Sequence, residues 1–120
     1  LTGAGVLCFQ QHKGTNHEAA RKGMDYIDRH ARINYQSGPC NLYEHYYVSQ
    51  AAINHGGRSW LNYNDKFRDT LLSGQQPDGH FRSPPNPGPG SKNDPVYHTA
   101  LATLMLEVYY RFLPGTGFGL

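Results

Sequence analysis

Two short segments of the 120-residue sequence concentrate the groups with which proteins do chemistry. Tyr43-Glu44-His45-Tyr46 sets a carboxylate and an imidazole among phenols, and Tyr97-His98-Thr99 places a second imidazole between two hydroxyls. A carboxylic acid can deliver a proton, an imidazole can take one up, and aromatic faces can shield a cation. Both segments open charge-poor, helix-like stretches, and a helix start adds free N–H groups and partial positive charge that suit an anion. The remaining reactive groups are less well arranged. Asp25/Asp28 and Asp65/Asp69 have helical spacing but lie on charge-rich stretches, where a solvated face is the expected role. Ser49, Ser59 and Ser73 lie in no Gly-x-Ser-x-Gly elbow, so nucleophilic hydrolysis has no arranged machinery. Cys8 and Cys40 have no base beside them and fall far outside Cys-x-x-Cys spacing. Cys8, within Val6-Leu7-Cys8-Phe9, reads as a small buried hydrophobe. His12, His17, His30 and His55 fall near helix ends and are expected to be solvated.

Five predicted helices must position these groups, and they are of two kinds. Thr2–Gln11 has no charge, Leu42–His55 has only Glu44, and Val96–Leu113 has only Glu107 and Arg111, spaced as a supporting pair. Such helices, apolar nearly all round, are expected to be surrounded by protein. Asn16–Arg32 and Ser59–Gly74 are one-sided instead. Ala19, Gly23, Tyr26 and Ile27 form the apolar strip of the first, and Trp60, Tyr63, Phe67 and Leu71 that of the second. Asn16 and Ser59 are the expected N-caps, and Asp78-Gly79 the turn that ends the fourth helix. Tyr46-Tyr47 and Tyr109-Tyr110 are expected to pack, with an aromatic wall for a hydrophobic or sugar ligand as the alternative.

Buried and surface helices therefore alternate, which implies stacked helical hairpins in an all-α fold. Thr2-Gly-Ala, Ser49-Gln-Ala and Thr99-Ala-Leu open similar stretches about fifty residues apart, one helix pair per repeat. The chain then holds about two and a half hairpins. Arrays of this kind need neighbours to cover their open faces. Residues 1–120 are accordingly expected to be a single partial domain, a C-terminal fragment that meets the rest of a longer chain or self-associates.

The motifs resemble a known superfamily. Lys22-Gly-Met-Asp-Tyr-Ile is similar to the opening of the repeat shared by squalene and oxidosqualene cyclases and protein prenyltransferases. Leu71-Leu-Ser-Gly-Gln-Gln-Pro-Asp-Gly-His-Phe81 resembles its Gln…Asp-Gly-x-Trp close, with Phe81 in the Trp place. Tyr46-Tyr-Val-Ser-Gln-Ala51, and the stretch from Tyr97 through Tyr109-Tyr110 to Pro114, resemble the C-terminal ends of uncharacterised bacterial members. The resemblance implies a partial α/α toroid built from αα-hairpin repeats. In such an array the loops Ile33–Asn41 and Pro77–Pro95 lie at one end, bringing Tyr43, Glu44, His45 and Tyr46 close to Tyr97 and His98. It further implies that this piece forms a cavity wall for a hydrophobic or isoprenoid-type ligand. An isoprenoid cyclase or zinc prenyltransferase with its remaining catalytic residues upstream is the alternative, and a protein-interaction module a third. The cyclases' Asp-x-Asp-Asp acid motif is absent. Tyr97-His98-Thr99 is similar to the Tyr-His-Thr whose His binds zinc in prenyltransferases, and His45 falls in that family's second ligand pair. Tyr43, however, is a poor zinc ligand, so histidines hydrogen-bonded in an aromatic core are the preferred reading over a His45/His98 metal site.

Composition narrows the classes further. The net charge of +2, with acids and bases interleaved, gives no case for nucleic acid. No apolar run approaches the roughly 20 residues that crossing a bilayer needs. Six of the eight prolines fall between Pro77 and Pro95, in a loop long enough to be expected either functional or disordered.

Overall fold

The computed structural model describes residues 1–89 and 93–111, without the side chain of Arg111. It is all-α. The helices are α1 (Thr2–Lys13), α2 (Glu18–His30), α3 (Leu42–His55), α4 (Gly57–Leu72), α5 (Pro95–Leu106) and the short α6 (Val108–Arg111). The expected last helix is interrupted at Glu107, and Phe112-Leu113-Pro114 and the Glu107–Arg111 pairing lie outside the described residues.

The three charge-poor helices lie side by side, α3 between α1 and α5, with α2 and α4 packed against them. Direction follows from the contacts. Gly3 of α1 meets Tyr47 and Val48 of α3, while Gln10 Nε2 donates to the Ala51 carbonyl at 2.9 Å, so α1 and α3 run parallel. The approach is close enough that a Cβ on Gly3 would come within 2.8 Å of the Val48 side chain. At the other side, the Phe81 N–H donates to Thr99 Oγ1 at 2.9 Å beyond the end of α4, and the Tyr109 hydroxyl donates to Asn64 in its first half. Therefore α5 is antiparallel to α4 and parallel to α3.

Burial departs from the sequence expectation in instructive ways. On α4 the strip is as expected: Tyr63, Phe67 and Leu71 are buried, with Trp60 packed beside them. On α2 the core face is Ala20, Met24 and Ile27, while Tyr26 is 50% exposed and stacks on His30. The face is set at Gly23, where a Cβ would fall 2.2 Å from the Val6 side chain, so the side of α2 holding Gly23, Met24 and Ile27 turns inward and leaves Tyr26 outside. Only α3 is enclosed as expected. On α1, Leu1, Cys8 and Phe9 are exposed, and on α5 and α6, Val96, Leu104 and Tyr110 are exposed. Cys8 is thus a surface thiol rather than a core residue.

Capping also shifts by a residue or two. His17, not Asn16, caps α2, its Nδ1 accepting from the Ala19 N–H at 3.2 Å. Gly56 precedes α4, and Ser59 instead donates to Asp28 at 2.7 Å, tying α4 to α2.

The loop rich in proline is a packed strap as far as Pro89. Gly79 makes the turn at φ 96°, and the Gln76 N–H donates to the His80 carbonyl at 2.7 Å across it. Phe81 and Pro84 are then buried, and the Cys40 N–H donates to the Asn86 carbonyl at 2.9 Å. Tyr35 anchors both loops. Its hydroxyl donates to the Arg82 carbonyl, Arg82 Nη2 donates to the Tyr35 carbonyl at 3.1 Å, and the guanidinium lies 5.2 Å from the ring centre. Gly74 is required under that ring, because a Cβ there would fall 2.4 Å from it.

Candidate functional site

The starts of α1 and α3 converge on a cleft of about 260 Å³. Tyr43, Glu44 and Tyr47 of α3 line it together with Gly3 and Ala4 of α1, and Asn41 and Pro89 close its rim. Asn41 is the N-cap that starts α3, its side chain accepting from the Glu44 N–H at 3.2 Å. Tyr43 and Tyr47, one turn apart, present rings 5.4 Å apart edge to face. The neighbouring Tyr43 phenol above all pushes the Tyr47 hydroxyl above its ordinary range. Tyr46 packs its ring against Tyr47 from the core side. The cleft therefore offers two aromatic surfaces, a carboxylate and the free N–H groups of a helix start.

The two histidines lie elsewhere. His45 points away from the cleft, toward α4 and the end of α2. Its Nε2 lies 2.8 Å from the Arg32 carbonyl, which can only accept, so Nε2 carries the proton and Nδ1 accepts from the Tyr63 hydroxyl at 2.9 Å. The neighbouring cavity holds about 10 Å³, at most a single water. By the same argument His98 Nδ1 donates to the Asp94 carbonyl at 2.9 Å, with Ser83 Oγ 3.1 Å away. Its Nε2 is buried and unpartnered among the described residues. Tyr97 lies edge-on against the His98 ring, and neither residue lines the cleft.

These side chains do not fit a zinc site. Both ring nitrogens of His45 are engaged within the protein. Among the described residues no group of three or more His, Cys, Asp and Glu side chains could hold a metal ion, and zinc needs at least three such ligands. Cys40 is fully buried, and burial pushes its thiol up to about 12, which disfavours the thiolate.

The cleft itself lies between the starts of α1 and α3, and no residue of α5 lines it, although α5 runs parallel beside α3. The sequence signal for it was the Tyr43/Tyr47 spacing combined with Gly3 and Ala4, which leave room beside those rings. Larger grooves lie beside the outer helices, one of about 330 Å³ lined by Glu18, Arg21, Lys22, Asp25 and His55. There Lys22 and Glu18 pair with each other at 2.6 Å and face solvent, as the charge pattern of α2 leads one to expect.

Compared with family models, with curated proteins and with solved structures, the chain finds no match. No helix among the described residues is long and apolar enough to cross a membrane.

The buried histidines set a pH dependence. Burial holds both His45 and His98 below the ordinary imidazole range. The unfolded chain takes up protons near pH 6.5 that the folded chain refuses, so stability is full above that value and declines as pH falls through it. Urea midpoints from about pH 8 to about pH 5 should be flat at first and then fall, with a shallower fall in His45→Gln. A midpoint that rises on acidification would contradict the assignment.

Proposed function

We propose that this chain is part of a prenyltransferase- and cyclase-like α/α toroid, contributing a cavity wall for a hydrophobic or isoprenoid-type ligand. The observation that carries the reading is the tyrosine-lined cleft at the parallel N-terminal ends of α1 and α3. Charge-poor helices form that layer and charge-rich helices flank it, the arrangement that the repeat motifs around Lys22 and Asp78 imply. Tyr43 and Tyr47 would lie along the chain of such a ligand, and the helix starts would face its polar head. Glu44 opposes an anionic head, so the wall serves apolar contact more than diphosphate binding. Among the described residues the cleft offers one carboxylate, Glu44, and on this reading further catalytic groups would come from outside it.

The test is thermal stabilisation by a long isoprenyl diphosphate and by the matching alcohol. Ligand at about a hundred times its Kd should add about 2.7 kcal/mol to stability, with the alcohol at least as effective as the diphosphate. The double substitution Tyr43→Ala/Tyr47→Ala should abolish the shift while preserving the helical spectrum. Absence of any shift, or one untouched by the double substitution, would reject the cleft as the binding wall.

A second reading, an interaction module, is favoured by one observation: both edges of the charge-poor layer are open and apolar.

A further inference from the structure

The two open edges match each other. On α1 the exposed positions Leu1, Gly5, Cys8, Phe9 and His12 follow one face of the helix, and none carries an acid, lysine or arginine. On α5, Val96, Ala100, Thr103 and Leu104 do the same, with Val96 78% exposed. The two helices are of equal length, 12 residues each, though the exposed face of α5 is the shorter of the two. Free apolar faces of this extent are a mark of interaction surfaces.

We propose that the α1 face of one copy docks on the α5 face of a second copy, head to tail. The argument is continuity. Within the chain the layer grows by adding parallel helices, α3 beside α1 and α5 beside α3, at similar spacing along the sequence. A second copy placed with its α1 parallel to α5 repeats that junction and brings its α2 to the same side as α4. Parallel placement also sets the basic end of α1, His12 and Lys13, beside Glu107 at the end of α5, a complementary pairing of charges. A two-fold pairing of identical faces would instead run the helices antiparallel, a junction that the layer uses nowhere. Gly5 suits a close junction, since a Cβ there meets nothing within 4 Å and Gly3, two residues earlier, already seats α1 against α3. Head-to-tail contacts do not close at two subunits, so assembly should continue past the dimer. The proposal does not rest on the ligand cleft, and it assigns to a second copy the same two edges that the remaining hairpins of a toroid would cover.

The experiment uses the intact chain and light scattering over a concentration series. The wild-type mass should rise with concentration beyond twice the monomer. Phe9→Glu blocks one face and Leu104→Glu the other, and each variant alone should be monomeric. Mixed in equal amounts they should form a dimer and nothing larger, because each retains the face the other lacks. Gly5→Glu and Ala100→Glu, both at exposed positions, repeat the test should either first substitution disturb the helical spectrum. A wild-type chain that stays monomeric overturns the proposal. So does a mixture that stays monomeric while the wild type associates, and so does either variant that dimerises alone, which would mean that identical faces pair.

Discussion

Replacing Phe67 by alanine should cost about 3–5 kcal/mol, the largest loss expected from any single side chain in the protein. Phe67 is fully buried on α4. Its ring stacks on Tyr63 at 4.9 Å and on Tyr109 at 6.2 Å, with Trp60 6.1 Å away. Removing it empties the centre of the cluster that joins α4 to α6, and each lost aromatic pair adds about 0.5–1.5 kcal/mol beyond the area lost. Against a typical domain stability of about 5–15 kcal/mol, the variant should sit near its folding threshold. Urea unfolding would show the midpoint falling with its slope unchanged, and Phe67→Leu should recover more than half of the loss. A loss under about 1 kcal/mol would mean that the cluster is not packed.

His45→Leu should cost about 2–5 kcal/mol, because it strands two groups rather than one. The Tyr63 hydroxyl loses its acceptor inside the protein, keeping only the His45 carbonyl at 3.5 Å, and the Arg32 carbonyl loses its donor. His45→Gln can supply both a donor and an acceptor and should recover part of the loss. This pair of variants separates a structural histidine from a ligand-binding one. A residue used only to bind a metal or substrate leaves stability unchanged or improved when made apolar, and that result would reverse the assignment.

Both predictions bear on how much of the molecule the sequence makes legible. The aromatic spacing from Trp60 to Leu71 reads directly, because its four members are large and recur at helical intervals, while Leu61 and Leu72 fall off that stripe and stay exposed. The strip on α2 does not read as well. Ala19, Ala20 and Gly23 are small enough to lie on either face, and the decision falls to Val6 of α1, which meets the helix at Gly23. The charge-poor composition of α1 and α5 is equally legible, but being surrounded requires neighbours, and only α3 has them on both sides.

The candidate site divides along the same line. Tyr43, Glu44, His45 and Tyr46 are consecutive, and a helix turns successive side chains by about 100°, so they cannot all face one cavity. Tyr43 and Glu44 reach the cleft, Tyr46 backs it, and His45 is turned into the core. The similarity of Tyr97-His98-Thr99 to a metal-binding motif concerns residue types alone. In the structure the backbone carbonyl of Asp94 takes up one nitrogen of His98.

By itself the sequence determined the helices, their division into charge-poor and charge-rich kinds, their alternation, and the turn at Asp78-Gly79. These are local properties, set by periodicity and by the backbone preferences of a few residues. Tertiary structure alone decided which face of α2 is core, which two helix starts meet, and where His45 spends its hydrogen bonds. It also decided that the proline-rich segment lies down as a strap over Cys40 and Tyr35. Those outcomes depend on distances of a few ångströms between residues some forty positions apart, as between Gln10 and Ala51. No spacing along the chain encodes such a distance until the helices have packed.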